Sequence, residues 1–391
     1  MKQKIKDLLY NLPCIKTLLS ERPSKWWAVK PSPIPRNVRR QDYSSRIEKE
    51  IENYKSVENV HDLPPIFHYW SNKYLLPQFR QFGFDSVKEF FCVYLTRICN
   101  NSKDKICQFI SIGAGNCDTE AEIVETLRGT GIDNFILECV DVNQYMLNRG
   151  KVLAQQKNLV RNMTFTNTDI NSWRPEQEYH VVIVNQALHH FLELELLFDK
   201  IYNVLHSTGY FLTSDMIGRN GHMRWPEALM IVNELWKKLP NKYKYNHQLK
   251  HFEIEYDNWN CSKKGFEGIR AQDVLPLLIN SKFNFDLFIA FSNAINIFVD
   301  RSFGPNFDPN NKWDRLFIDK VHYLDQQYIE KGIIKPTQMI AALTKCSLNK
   351  MRTYKHLSPD FCVRWPNTIP YQEYPDKLKK EVISTIEGMN S

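Results

Sequence analysis

Phe109-Ile-Ser-Ile-Gly-Ala-Gly-Asn-Cys-Asp-Thr-Glu-Ala-Glu122 decides the fold of this chain. An apolar run of strand type enters two glycines, Gly113 and Gly115, and passes directly into a helix start. Glycine lets the backbone approach a ligand closely at such a turn. Thr119 and Glu122 have the Ser/Thr-x-x-Glu spacing of a capping box, which marks the helix N-terminus. Backbone N–H groups and the helix dipole at that point suit an anionic group such as a carboxylate. The third glycine of the dinucleotide fingerprint is missing, with Asp118 in its place, and this argues against NAD.

Downstream, three more apolar runs end on polar residues. Phe135-Ile-Leu-Glu-Cys-Val-Asp closes on Asp141, Met163-Thr-Phe-Thr-Asn-Thr-Asp on Asp169, and Val181-Val-Ile-Val-Asn leads into Ala187-Leu-His-His190. Strands are expected near 107–112, 134–141, 163–168, 180–185 and 209–216, with helices over 119–128, 144–157 and 193–205. Alternation at this spacing implies βαβ units and a parallel sheet. Gly209 is expected to take a positive φ in the turn before the fifth strand. Strand-like stretches from Phe283 to Val299 and Thr337 to Thr344, with a helix from Trp313 to Glu330 between them, complete the sheet.

The 391 residues exceed one average domain. With 43% hydrophobic and 13% aromatic residues the chain can bury a large core, which excludes general disorder. Nine scattered cysteines form no Cys-x-x-Cys pair, so a disulfide framework or a cysteine metal site is not expected, and reduced thiols in the cytoplasm fit better. The net charge is +7. Residues 1–20 interleave Lys2, Lys4, Lys6 and Lys16 with Ile5, Leu8, Leu9, Ile15, Leu18 and Leu19, a basic amphipathic pattern suited to packing or to peripheral contact with an anionic membrane. No nucleic-acid module is visible, and no apolar run is long enough to span a bilayer.

The ordered set of Gly113-Ala114-Gly115, Asp141, Asp169 and the Asn185–His190 connection resembles the class I S-adenosylmethionine-dependent methyltransferases. That resemblance implies a Rossmann-like seven-stranded sheet with helices on both faces, an N-terminal helical extension and a cap insertion. It implies S-adenosylmethionine as cofactor, with Gly113, Ala114 and Gly115 at its methionine part. Asp141 would accept from the ribose hydroxyls, or else cap the helix beginning near Gln144. Asp169 would meet the adenine amino group between Val142 and Ile170, and Asn185 would lie under the sulfonium. No metal is expected. The divisions that follow are 1–41 (basic segment and linker), 42–104 (helical lid), 105–217 (cofactor core), 218–282 (acceptor insertion), 283–345 (last strands) and 346–391 (tail).

His190 faces the acceptor in such enzymes and is a candidate general base, with His222 a second candidate, because imidazole titrates near neutrality. Relatives with unrelated acceptors share the Leu-His-His-Phe run, so loop shaping is the competing role for His190. Tyr69, Asn72, Arg219, Arg224 and Trp225 fall in segments that roof the acceptor in this family. Aromatic faces with arginine and asparagine suit a polyhydroxylated or anionic small molecule, or else form the core of a helical cap. The expected activity is methyl transfer to a hydroxyl of a saccharide or related metabolite. N- or C-methylation of another small molecule, or cofactor binding without catalysis, are the alternatives.

Overall fold

A computed structural model describes residues 40–55, 62–102, 105–175, 177–263 and 265–364. The basic segment 1–20 and the proline-rich stretch 31–36 lie outside them. The chain divides into Met1–Ser44 and a compact unit beginning at Ser45. Among the described residues no helix is long and apolar enough to cross a membrane.

Among the described residues ten strands form: β1 (Cys107–Ile112), β2 (Phe135–Asp141), β3 (Met163–Asn167), β4 (Tyr179–Asn185), β5 (Leu205–Met216), β6 (Tyr245–Asn246), β7 (His251–Phe252), β8 (Asn284–Phe291), β9 (Gln338–Thr344) and β10 (Arg352–Thr353). Eight of them make one sheet in the order β10-β8-β9-β5-β4-β1-β2-β3, while β6 and β7 form a separate hairpin. Neighbours from β3 through β5 pair in parallel, and β9 runs antiparallel to both β5 and β8. Cover on both faces explains why β1, β4 and β9 are almost wholly buried and read as unbroken apolar runs. Strand order reverses between β1 and β4, where an open α/β sheet leaves a crevice at the strand C-termini.

The expected seven strands become eight. Arg352 pairs with Leu287, and its guanidinium donates to Asp286 at 2.6 Å, so β10 adds a short edge. Two residues carry no alternation, which is why the sequence hides this strand. The apolar run 283–299 is also two elements. It turns at Ser292, whose φ is +54°, and continues as the helix Ile295–Val299. Buried Asp325 accepts from the Asn293 and Ala294 amides at 2.8 and 2.7 Å and sets that turn. An apolar run alone does not separate strand from buried helix.

Two local expectations fail. Helix Asp118–Gly129 starts after Cys117 in the left-handed conformation (φ +60°), without a side-chain cap, so Thr119 and Glu122 do not box it. Gly209 takes no positive φ. A Cβ there would stand 2.6 Å from the His180 carbonyl oxygen, where β5 bulges against β4, so close approach requires the glycine.

Helix Pro65–Trp70 runs through a π turn, Ser71–Leu75, into Leu76–Arg80. Pro77 lacks an N–H and crowds the carbonyl four residues back, and the widened turn accommodates it. The segment docks on helix Lys312–Glu330: Trp70 Nε1 donates to His322 Nδ1 at 3.1 Å, and Tyr69, Lys73 and Tyr74 all meet Asp319.

Candidate active site

The expected cofactor edge is built from local sequence. Gly113 and Gly115 have φ of +74° and +55°. A Cβ on Gly113 would stand 2.7 Å from Ala187 Cβ, and one on Gly115 3.1 Å from Met146 Cε. The Gly113 and Ala187 loops therefore pass each other with no room for a side chain, while Gly115 faces the flexible end of Met146. Asp141 ends β2 and accepts from the Gly115 amide (2.9 Å) and the Asn143 amide (2.7 Å). Burial outweighs these bonds and pushes its carboxyl up. The helix Gln144–Gln156 is capped by Asn143, which accepts from the Tyr145 and Met146 amides, so capping falls to Asn143 and not Asp141. Each Asp141 oxygen keeps a further lone pair for hydroxyls. Val142 and Ala114 are half-buried beside it.

Beyond β3, Asp169 accepts from the Asn171 amide at 2.9 Å. Ile170 is buried behind it, and Lys200 holds the Ile170 and Asn171 carbonyls at 3.0 and 2.8 Å. Asn185 ends β4, half-buried, paired with Ser214.

The second half of the site comes from residues far apart in the chain. Asp215, fully buried at the end of β5, accepts from the amides of Ala187, Leu188 and His189. It also takes His189 Nδ1 at 2.6 Å. Glu267, from the insertion between β5 and β8, is met by three histidines. His189 Nε2 lies 3.5 Å from Oε1, His190 Nε2 3.5 Å from Oε2, and His222 Nε2 is hydrogen-bonded to Oε1. On the other side His190 Nδ1 is 3.2 Å from Glu50, and the Tyr54 hydroxyl donates to Glu267 Oε2 at 3.3 Å.

Charge follows this geometry. Burial opposes a charged His189, yet Asp215 and Glu267 outweigh it and push the imidazole up to about 10. Burial would likewise raise Glu267, but the histidines hold it well below the usual carboxylate range, His190 most strongly. His222 moves down because burial outweighs its bond to Glu267.

Helix Arg40–Lys55 bridges the two halves through its later residues. Asn143 Nδ2 donates to the Ile51 carbonyl at 3.2 Å, and Arg149 to those of Tyr54 and Lys55 at 3.0 and 2.8 Å. Arg46 donates to Gly265 O at 2.6 Å on the insertion side.

His190 and His222 thus meet at one carboxylate. Arg219, Arg224 and Trp225 form a neighbouring brace. Trp225 lies between Arg219 (5.3 Å) and Arg364 (4.5 Å), and Arg224 donates to the His222 carbonyl at 2.9 Å. Tyr69 instead bonds Asp319, and Asn72 is exposed on the same segment. Glu50, Tyr54, Asp215 and Glu267 escaped the sequence reading. Asp215 alone carried a signal, an acidic residue closing a strand as Asp141 does. The cysteine spacing that argued against a metal has no bearing on His189, His222 and Glu267.

Residues 103–259 match the family model of a methyltransferase domain. The chain thus carries a methyltransferase domain of the S-adenosylmethionine-dependent kind. No curated protein matches. Similar solved structures include the O-methyltransferase of a trans-AT PKS multienzyme of Brevibacillus brevis with S-adenosyl-L-homocysteine: 15% identity over 84% of this chain and 96% of that one, TM-score 0.41. The plantazolicin methyltransferase BpumL shares 13% over 77% and 99%, TM-score 0.34. The cyclase SpnF shares 15% over 62% and 76%, also at 0.34.

Proposed function

We propose that the enzyme methylates a hydroxyl of a small, uncharged, polyhydroxylated acceptor of saccharide type. The observation that carries this reading is the convergence of His189, His190 and His222 on Glu267 beside the cofactor edge. S-adenosylmethionine, when bound, supplies an electrophilic methyl group; Gly113, Ala114, Gly115, Asp141, Val142, Asp169, Ile170 and Asn185 are the residues to hold it. Methyl transfer then needs an aligned nucleophile and, for an alcohol, a proton acceptor. His190 suits that role, with Glu50 and Glu267 flanking its two ring nitrogens and able to stabilise the imidazolium. His222 and His189 hold Glu267 in place. Carboxylates at Glu50, Asp215 and Glu267 disfavour an anionic acceptor by like-charge repulsion. Arg219, Arg224 and Trp225 border the cluster, whereas Tyr69 and Asn72 belong with Asp319 and take a bracing role.

The test is incubation with methyl-labelled S-adenosylmethionine and a panel of free sugars, nucleotide sugars, amines and carbon nucleophiles, followed by mass spectrometry. A methyl ether on a neutral sugar is expected. His190→Ala should lower its formation roughly 10²–10⁴-fold with cofactor affinity retained. Label on nitrogen or carbon, or preference for the nucleotide sugar, would contradict the reading.

A further inference from the structure

Glu267 Oε1 and the two imidazole nitrogens facing it pose a charge problem. Asp215 lies 2.6 Å from His189 Nδ1 and fixes the proton there, so in the neutral ring the Nε2 lone pair points at Glu267 Oε1, 3.5 Å away. His222 Nε2 meets the same oxygen. Three potential ligand atoms converge on one point, where protons or a cation can be shared among them. The loops are shaped to allow it. His222 has a φ of +56° between Gly221 and the rest of its loop, and a Cβ on Gly268 would stand 2.9 Å from His222 Cε1. Side chains held on such strained backbone gather at functional sites.

We propose that His189 Nε2, His222 Nε2 and Glu267 Oε1 form a binding site for one divalent transition-metal cation of the zinc type. Their ligand atoms lie within 4.8 Å of one another. Metal–ligand lengths of about 2.0–2.2 Å bring tetrahedral ligands to roughly 3.3–3.6 Å, close to the His189–Glu267 separation, whereas His222, hydrogen-bonded to Glu267 here, has to move apart to that spacing when the ion binds. Two imidazoles with one carboxylate favour zinc or cobalt over magnesium, which prefers oxygen alone. Asp215 on the distal nitrogen of His189 is the outer partner that orients a ligating histidine, and Tyr54 does the same for Glu267. Three protein ligands leave a fourth position open, and the Glu267 side chain is 35% exposed. The site stands on this geometry; its use in the reaction, as a seat for the acceptor hydroxyl, rests on the function proposed above.

The test uses the full chain, stripped with a chelator and dialysed. Zn²⁺ is titrated by calorimetry and Co²⁺ by visible absorption, with S-adenosylhomocysteine binding measured on the same preparations. One ion per chain at submicromolar affinity is expected, with a Co²⁺ spectrum of nitrogen and oxygen ligation and no thiolate band. Glu267→Gln and His222→Ala should each weaken binding at least 100-fold, and Asp215→Asn about 10–100-fold, with circular dichroism unchanged. Wild-type protein that takes up no more ion than Glu267→Gln would overturn the site. S-adenosylhomocysteine binding retained in that case would leave the methyltransferase assignment standing; its loss would remove both.

Discussion

The proposed cofactor edge and the proposed acceptor cluster lie side by side at the strand C-termini, yet they are made in opposite ways. Gly113, Gly115, Asp141 and Asn143 come from a short stretch of chain. They are tied by backbone bonds such as Gly115 N to Asp141 Oδ2. The cluster gathers Glu50, His189, His190, Asp215, His222 and Glu267 from four separate segments, held by side-chain bonds between charged groups. A local site survives many surface changes elsewhere. A site assembled over distance depends on every brace that fixes its segments.

The brace with the largest expected effect is Arg270. It is 4% exposed, three residues after Glu267, and bonds Glu195, Asp273 and the Leu192 carbonyl, while its amide donates to His189 O. Arg270→Ala leaves the Asp273 carboxylate, 17% exposed, without its partner and should cost about 3–5 kcal/mol in urea unfolding. A loss below about 1 kcal/mol would mean that the cluster has other support. Next comes Gly113→Ala, which tests the local half. Left-handed backbone costs about 1–2 kcal/mol and the approach to Ala187 Cβ a further ~1–3 kcal/mol. Wild-type stability in that variant would break the picture of two loops in contact. Third, Trp225→Ala removes two cation–π contacts and should cost about 1–2 kcal/mol while S-adenosylhomocysteine affinity holds. An affinity loss as large as the stability loss would join the brace to the cofactor edge.

The smallest effect is a pH dependence away from both halves. Burial pushes His322 down to about 4, with Asp319 opposing and Lys73 reinforcing the shift. The unfolded chain therefore binds the proton first. His322 costs no stability above pH ~6.5, and the folded state loses stability as pH falls from there toward 4. At pH 6 the loss should stay under about 1 kcal/mol. His322→Phe should flatten that part of the stability profile; an unchanged slope would assign it to other groups.

Legibility in the sequence follows the same division. Strand–turn–helix order, and with it the positions of Asp141 at the end of β2 and Asp169 just after β3, were readable because glycine chemistry and hydrophobic period act over a few residues. Glu267 was not, since Lys263 to Gly268 has no period and its meaning comes from histidines up to 78 residues earlier in the chain. Tyr69 shows the reverse: an aromatic of the expected roof whose hydroxyl donates to Asp319 on helix Lys312–Glu330, a bond its own sequence does not signal. The β10 edge was silent because pairing with β8, not its own sequence, makes it a strand.

The central claim is that binding of the cofactor and handling of the acceptor belong to these two separable halves. Calorimetry of S-adenosylhomocysteine on wild type, Asp141→Ala and Glu267→Gln tests it directly. Asp141→Ala should lose about 1.5–3 kcal/mol of binding, the worth of hydrogen bonds to a charged group, while Glu267→Gln binds as wild type. Equal losses in the two variants, or full affinity in Asp141→Ala, would contradict it.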